Sequence, residues 1–410
     1  MNHHIQTAVF GTRFNKKLEM SINTSILNHF FRAFFSVPWY RTQSQYQLYL
    51  LEYMELHPKR NPFFQEHASF VQYWVAYQNN KPVGRIAAWI DDKYDELQSS
   101  TSLRKTGWIG LFECIPNKDI AHTLIETACE SLRNNNVHRI LGHGRFNASS
   151  QIGLQIQGFD SPPSFMEPFH PPYYESFFSA YGHKMNDWFS FGVEEKSFTE
   201  YLHRIQKNES RYGSLEEQLR QKGIRIYSPT KKNLPYEVNR IVSLYNHLWT
   251  SPEHPQFSPL CKGEQKSLQQ AITVFWEPSL IHIAETKERK IVGIGITVPD
   301  INEALLHFPY QFPLYPSLWS LLKQDLKGFL RMYQTIHGHH FTRARVLILG
   351  SNVPFSGLDT ALYKKLYQAV KKSGIQRISA SQIADSNLPM MNPLRRMGSV
   401  EKVWRVYQMQ

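Results

Sequence analysis

Cysteine is scarce: Cys114, Cys129 and Cys261 are the only three in 410 residues, and none forms a Cys-x-x-Cys pair. This excludes a disulfide scaffold and a cysteine-rich zinc module, and a reducing cytoplasm fits the usage. No apolar run is long enough to cross a bilayer, which argues against a transmembrane protein. The stretch Met1–Met20 reads as too polar for a secretory leader. Acidic residues are outnumbered, 34 against 46 Lys and Arg, for a net charge of +12. No helix–turn–helix, RNA-recognition or zinc signature accompanies that excess, so no nucleic-acid partner is expected. Core-forming material is plentiful. With 41% apolar residues and 14% aromatics the chain is not a disordered one. Its length exceeds the usual span of one core, so two domains are expected.

The basic excess sits at one end. From Arg343 onward, eleven Lys and Arg face three Asp and Glu, which places +8 of the +12 there. Such a field suits an anionic ligand, and equally a solvated surface that keeps the protein soluble.

The chain repeats itself. Val83-Gly84-Arg85-Ile86-Ala87-Ala88-Trp89-Ile90-Asp91, an apolar strand ending in an acid, is echoed by Val292-Gly293-Ile294-Gly295-Ile296-Thr297-Val298-Pro299-Asp300. Each reads as the second arm of a hairpin, the first arms being Val71–Tyr77 and Leu280–Glu285. Ala121–Ile140, an amphipathic helix, a turn and the start of a strand, matches Asp359–Ile378 in length and closing residues. Tyr181-Gly182 before Trp188 matches Met397-Gly398 before Trp404. Three echoes in one order imply two copies of an α/β domain. The expected division is 1–193, a helical connector 194–222, and 223–410. Each copy should run helices, hairpin, strand, helix, strand, helix, strand, giving a mixed but mostly antiparallel sheet flanked by helices.

That order resembles the GNAT superfamily of acyl-CoA N-acyltransferases in tandem form. Local motifs narrow the resemblance to a largely uncharacterised bacterial GNAT-like family: Asn61-Pro62-Phe63-Phe64, Phe112-Glu113-Cys114-Ile115, Gly158-Phe159-Asp160-Ser161-Pro162-Pro163, Pro171-Pro172-Tyr173-Tyr174 and Met391-Asn392-Pro393-Leu394. The resemblance implies transfer of an acyl group from acetyl-CoA or a longer acyl-CoA to an amine, with no metal. The amine could be lipid or sphingoid, or a small metabolite. The alternative is a non-catalytic protein that binds acyl-CoA or lipid, because function sits in sites rather than in folds.

A coenzyme A pyrophosphate needs backbone N–H donors at a helix N-terminus reached by an unobstructed loop. In the second copy, Leu349, Gly350, Ser351, Ser356, Gly357 and Leu358 supply that context. Superfamily members usually carry two glycines here, and this sequence keeps only Gly357. An ordinary strand-to-helix turn is the competing reading. In the first copy, Asn117 or Asp119 reads as a helix cap after Pro116, so that copy is expected to have no donor site.

For the chemistry, Leu349, Gly350 and Ser351 would direct N–H groups at the thioester oxyanion. Asp385 and Asn387 should face the acceptor, or else cap a helix and a turn. Glu113 ends an apolar strand, so burial would raise its pKa toward that of a general base, unless Arg139 or Arg145 pairs with it. The last helix, Leu388–Met397, carries no Tyr to reprotonate the leaving thiolate. Asp160, His170, Tyr173, Tyr174 and Asn392 are the candidate substrate-binding residues, four of them in an aromatic, proline-rich stretch read as a cleft wall. The insertion 304–341 is apolar, aromatic and basic. It could cap an acyl pocket, or make peripheral membrane contact through residues 308–331, or bury against the other copy. His337, His339 and His340 lack partners at metal-ligand spacing. The oligomeric state stays open.

Overall fold

The structure, a computed structural model, describes residues 3–14, 17–41, 48–98, 105–147, 151–212, 214–250, 254–275, 277–306, 316–338, 340–352 and 357–410. Ser356, His339 and residues 308–315 of the insertion lie outside them. In chain order the strands are β1 His3–Phe14, β2 Lys17–Ile22, β3 Ala68–Gln78, β4 Lys81–Asp91, β5 Thr106–Cys114, β6 Arg139–Gly144 and β7 Leu154–Gln157. They continue with β8 Gly182–Glu194, β9 Arg225–Tyr227, β10 Ile281–Glu285, β11 Ile291–Pro299, β12 Arg343–Ser351, β13 Arg377–Ala384 and β14 Ser399–Met409.

Both expected hairpins form. Asn79 and Asn80, with φ of 51° and 59°, make the two-residue turn between β3 and β4, where asparagine tolerates the left-handed region that such a turn needs. Both strand–helix–strand crossovers form as well. The helix Lys118–Arg133 makes β5 and β6 parallel, and the helix Leu358–Lys372 makes β12 and β13 parallel. The other pairings described are antiparallel. Each copy begins with a strand that the sequence reading lacked: β1 pairs with β3, and β9 pairs with β10. The polar stretch 194–222 carries the helices Glu195–Tyr212 and Leu215–Gln221.

The two expected sheets are joined into one. Its strand order is β2-β1-β3-β4-β5-β6-β14-β8-β13-β12-β11-β10-β9, with β7 also paired to β14. The C-terminal strand β14 lies against β6 of the first copy, and β8 of the first copy lies against β13 of the second. The final strands are thus exchanged, and they pair with each other along most of their length. Separating the copies would expose two long strand edges, which are costly to leave unpaired.

Each parallel pair parts at the same place in its copy. Pairing of β5 with β6 ends at Gly110 and Gly144, and pairing of β12 with β13 ends at Val346 and Ala380. Immediately beyond, the register with the antiparallel neighbour slips by one residue, at Leu111 in β5 and at Leu347 in β12. These are β-bulges, which bend a strand away from its partner. Leu111 takes φ 51°, uncommon outside glycine. Gly110 is required there, since a Cβ on it would come within 1.9 Å of the Gly144 carbonyl oxygen. Counting from the bulges, Glu113 stands in the first copy where Leu349 stands in the second.

Candidate active site

A cavity of about 240 Å³ opens where β5 leaves β6. Its polar lining includes Glu52, Glu55, Arg85, Glu113, His143, Arg145 and His170. Its apolar lining includes Phe34, Leu48, Phe165, Phe169, Leu305 and Met332. Leu305 and Met332 come from the second copy, so both copies build the chamber.

Glu113 is buried beyond the bulge. Tyr40 and Tyr174 both donate hydroxyl hydrogens to its Oε2, at 3.0 and 2.9 Å. Arg85 approaches its Oε1 at 3.6 Å but is held more closely by Glu52, at 2.6 Å. Burial outweighs the guanidinium and both hydroxyls, and raises the Glu113 carboxyl to about 7. Arg139 instead donates to Thr106 and Tyr94, and Arg145 makes a two-bond pair with Glu55. The basic partner of Glu113 is therefore Arg85. Its signal was a lone cation inside the apolar run of β4, and sequence reasoning passed over it.

Two histidines complete the polar lining. His143 Nε2 accepts the Phe112 N–H at 3.2 Å, and His170 Nδ1 accepts the Gln155 N–H at 3.2 Å. Burial first, then the neighbouring Arg145, keeps His170 neutral, with its pKa lowered to about 3. Burial depresses His143 as well, assisted by His170 and Arg145. Each neutral ring keeps one N–H as a donor. The adjacent Cys114 thiol is pushed up by burial and by Glu113, which rules it out as a thiolate nucleophile at neutral pH.

Of the expected substrate residues, His170 lines the cavity. Tyr174 holds Glu113, and Tyr173 donates to the Cys114 carbonyl at 2.8 Å. Asp160 is exposed on the turn whose Gly158 and Ser161 oxygens accept from the Lys402 ammonium. Asn392 is exposed on the helix Leu388–Met397. Asp385 accepts the Asp187 N–H at 3.0 Å, which fastens the end of β13 to the middle of β8. Asn387 caps the last helix by accepting the Met390 N–H. Asp385, Asn387 and Asn392 are not among the residues that line the cavity.

In the donor loop, Leu349, Gly350 and Ser351 pair with β11 beyond the point where β13 departs. Gly357 takes φ 76° and opens the helix Leu358–Lys372 with no side-chain cap. The first copy differs here. Asn117 accepts both the Asp119 and Ile120 N–H groups, so a side chain occupies that helix start.

Glu167 also went unforeseen. It lines the cavity, and its Oε1 accepts from Ser190, Ser379 and Ser381 at 3.0, 2.8 and 2.6 Å. Ser379 and Ser381 belong to β13, so the cavity shares a wall with the splayed strand of the second copy. Outside the cavity, His67, Cys261 and Glu264 bring possible metal-ligating atoms within 4.8 Å of one another. Their positions are accounted for by an ion pair and a helix cap: Glu264 reaches back to the Cys261 N–H at 2.9 Å, and His67 is held by Asp91.

No protein-family model matches the chain. It is similar to protein YghO of Escherichia coli, 25% identical over 83% of this chain and 82% of that one. It is also similar to the bacterial ceramide synthase of Caulobacter vibrioides, 24% identical over 86% of each chain. Among solved structures it superposes, over its whole length and 10% identical, on the glucosamine N-acetyltransferase region of a fungal β-N-acetylglucosaminidase, with a TM-score of 0.51. It spans 38% of that multi-domain protein. With the strand–helix–strand unit and its bulged, splayed pair present twice in one mostly antiparallel sheet, the chain has the fold of tandem GNAT-like domains.

Proposed function

We propose that the protein is an N-acyltransferase that moves an acyl group from a coenzyme A thioester to an amine seated in the cavity. The observation that carries this reading is Glu113: a carboxyl lining the cavity and buried until its pKa reaches about 7. A base poised near the working pH is what deprotonation of an ammonium requires. The ionised Glu113 takes that proton, and the neutral nitrogen attacks the thioester carbonyl. The C–N bond forms, the C–S bond breaks, and coenzyme A leaves as the thiolate. The second proton, shed by the acylated nitrogen as the amide forms, passes through solvent to the thiolate, and Glu113 releases the first proton to bulk solvent.

In this reading the halves divide the work. Residues 1–193 supply the base. Residues 223–410 supply the donor site, with Ser356, Gly357 and Leu358 at the pyrophosphate. Leu349, Gly350 and Ser351 lie on β12, separated from β5 by four strands and outside the cavity lining. In this reading they border the arm that carries the thioester to the cavity and not the reacting carbonyl. Gly357, in the left-handed region at the start of the helix Leu358–Lys372, supports that choice, because it places no side chain of its own over the helix N-terminus. The apolar part of the cavity lining suits an amine bearing a hydrocarbon chain, and the likeness to a ceramide synthase supports a long-chain lipid amine. Dependence on coenzyme A and three unpaired cysteines favour the cytoplasm.

The test is thiol release from acetyl-CoA and palmitoyl-CoA across a panel of small and long-chain amines. Release with one amine and its loss in Glu113→Gln supports the reading. Binding of acyl-CoA without release from any amine favours a passive carrier, and no binding at all overturns the acyltransferase.

A further inference from the structure

The helix Leu318–His337 presents two apolar faces. The inner one buries Leu321, Gly328, Met332 and Ile336. Gly328 lets it approach closely, since a Cβ there would meet Leu48 at 2.7 Å. Asp325, also buried, accepts the Tyr49 and Leu50 N–H groups at 3.0 and 2.5 Å, which caps the helix Tyr49–Leu56 of the first copy. Met332 and Leu48 both line the cavity. The helix is thus one wall of the chamber, docked on the first copy by a carboxylate.

The outer face is apolar as well, although it faces solvent. Trp319 is 83% exposed and Leu326 63%, with Leu330 and Tyr333 more than half exposed on the same side. The adjoining helix Tyr49–Leu56 adds exposed Leu50 and Met54. A cluster of large apolar side chains drawn from two packed helices is more than the scattered exposure usual for a soluble surface. Its border is basic. Lys323, Lys327 and Arg331 are exposed on the Leu318–His337 helix, and Arg60 contacts Met54. The one acid of the Leu318–His337 helix, Asp325, points inward, and Glu55 of the Tyr49–Leu56 helix is paired with Arg145 at 2.8 Å. Among the described residues no helix is long and apolar enough to cross a membrane. An apolar stripe with Trp and Tyr beside lysines is the pattern of a helix that lies in the interface of an anionic bilayer.

We propose that the outer faces of Leu318–His337 and Tyr49–Leu56 dock on an anionic lipid surface, with the cavity directly behind the docked helix. An amphiphile leaving that surface would then have the cavity, lined by both apolar and polar side chains, directly behind the helix. The docking rests on the surface alone and not on the chemistry proposed for Glu113, and lipid binding can be read without turnover.

The test uses the full chain with sucrose-loaded vesicles, either of phosphatidylcholine alone or of phosphatidylcholine mixed with phosphatidylglycerol. The expected result is co-sedimentation with the anionic vesicles and little with the neutral ones, reversed by salt. Leu326→Glu/Leu330→Glu, both at exposed positions, should lower the partition coefficient by about tenfold or more without changing the thermal midpoint. Brominated lipid should quench emission in the wild type more than in Trp319→Phe, which isolates that indole. Absence of co-sedimentation with either vesicle, or equal partitioning of the double variant, would overturn the proposal. So would a lipid-independent dimer that the double variant abolishes, because the face would then belong to a second copy.

Discussion

Tyr174 donates its hydroxyl hydrogen to Glu113 Oε2 at 2.9 Å while accepting the Cys114 N–H at 2.8 Å. One phenol therefore ties the candidate base to the backbone of its own strand. Because Tyr174 sits on the short helix Tyr174–Phe178, the aromatic loop before it is anchored to the same carboxylate.

If Glu113 is the base, Glu113→Gln should lower kcat by ~10²–10⁴-fold. The fold should survive, because Arg85 keeps Glu52 at 2.6 Å and is not left as a lone buried charge. In the wild type the rate should climb about tenfold per pH unit and level off above the Glu113 pKa of about 7. Stability should run the other way. The carboxyl lies above its ordinary 4.5, so the folded state holds more protons and stability falls as pH rises from 4.5 to about 7. Glu113→Gln should flatten that decline in thermal midpoint. A rate profile that is level through neutrality, or a variant at full rate, excludes Glu113 as the base.

Tyr174→Phe separates positioning from scaffolding. The lost hydrogen bond favoured the ionised carboxylate, so the Glu113 pKa should rise and the rate profile should move to higher pH. The Cys114 N–H also loses its acceptor, at a cost of about 1–3 kcal/mol in urea unfolding. Tyr40→Phe removes the other bond to Oε2 at 3.0 Å and leaves Cys114 satisfied. It should shift the profile in the same direction with a smaller loss of stability. Identical profiles for both variants and the wild type would mean that neither phenol tunes the carboxylate.

Local pattern carried much of this fold. The Asn79-Asn80 turn, the amphipathic crossover helices and the acid at the end of each hairpin are properties of short windows, and they gave the repeat, its hairpins and its parallel pairs. The exchange of β8 and β14 was not legible, because the two sheet edges are made by copies of one motif and nothing local tells a strand which to join. Burial of Glu113 could be read from its apolar neighbours, but the identity of Arg85 as its partner could not, since that pairing crosses strands at a bulge. Glu167 was invisible for a related reason: its three hydroxyl partners come from β8 and β13, far along the chain.

Glu167 is the polar joint between the copies, and removing it should be severe. Its Oε2 takes the Ser164 N–H while Oε1 takes the three serine hydroxyls. Burial alone would raise its carboxyl, but Arg345 and these donors outweigh burial and hold it below its ordinary value. Arg345 is itself buried and donates to the Ser381 carbonyl. Glu167→Ala leaves that guanidinium with Asp300 as its remaining counter-charge and strips the serine hydroxyls of their acceptor, which should cost about 3 kcal/mol in urea unfolding. Adding Arg345→Met should recover part of the loss. A double variant no better than the sum of the singles would show that the two charges are not coupled.

His67 makes the second tie between the copies, and its pH dependence has the opposite sign to that of Glu113. Its Nδ1 meets Asp91 at 3.1 Å, and its Nε2 faces Glu264 of the second copy at 3.6 Å. Burial alone would depress the imidazole, yet Asp91, Glu264 and Glu66 together raise its pKa above 6.5. A raised cationic group stabilises fully below its unfolded value and loses that contribution as pH climbs through the folded one. The gap in thermal midpoint between the wild type and His67→Gln should therefore be widest below 6.5 and narrow as the pH rises past it. Glu264→Gln should shrink the same gap, and should also weaken the cap on Cys261, whose N–H it accepts at 2.9 Å. A gap that stays constant with pH would mean that the imidazole is held by shape and not by charge.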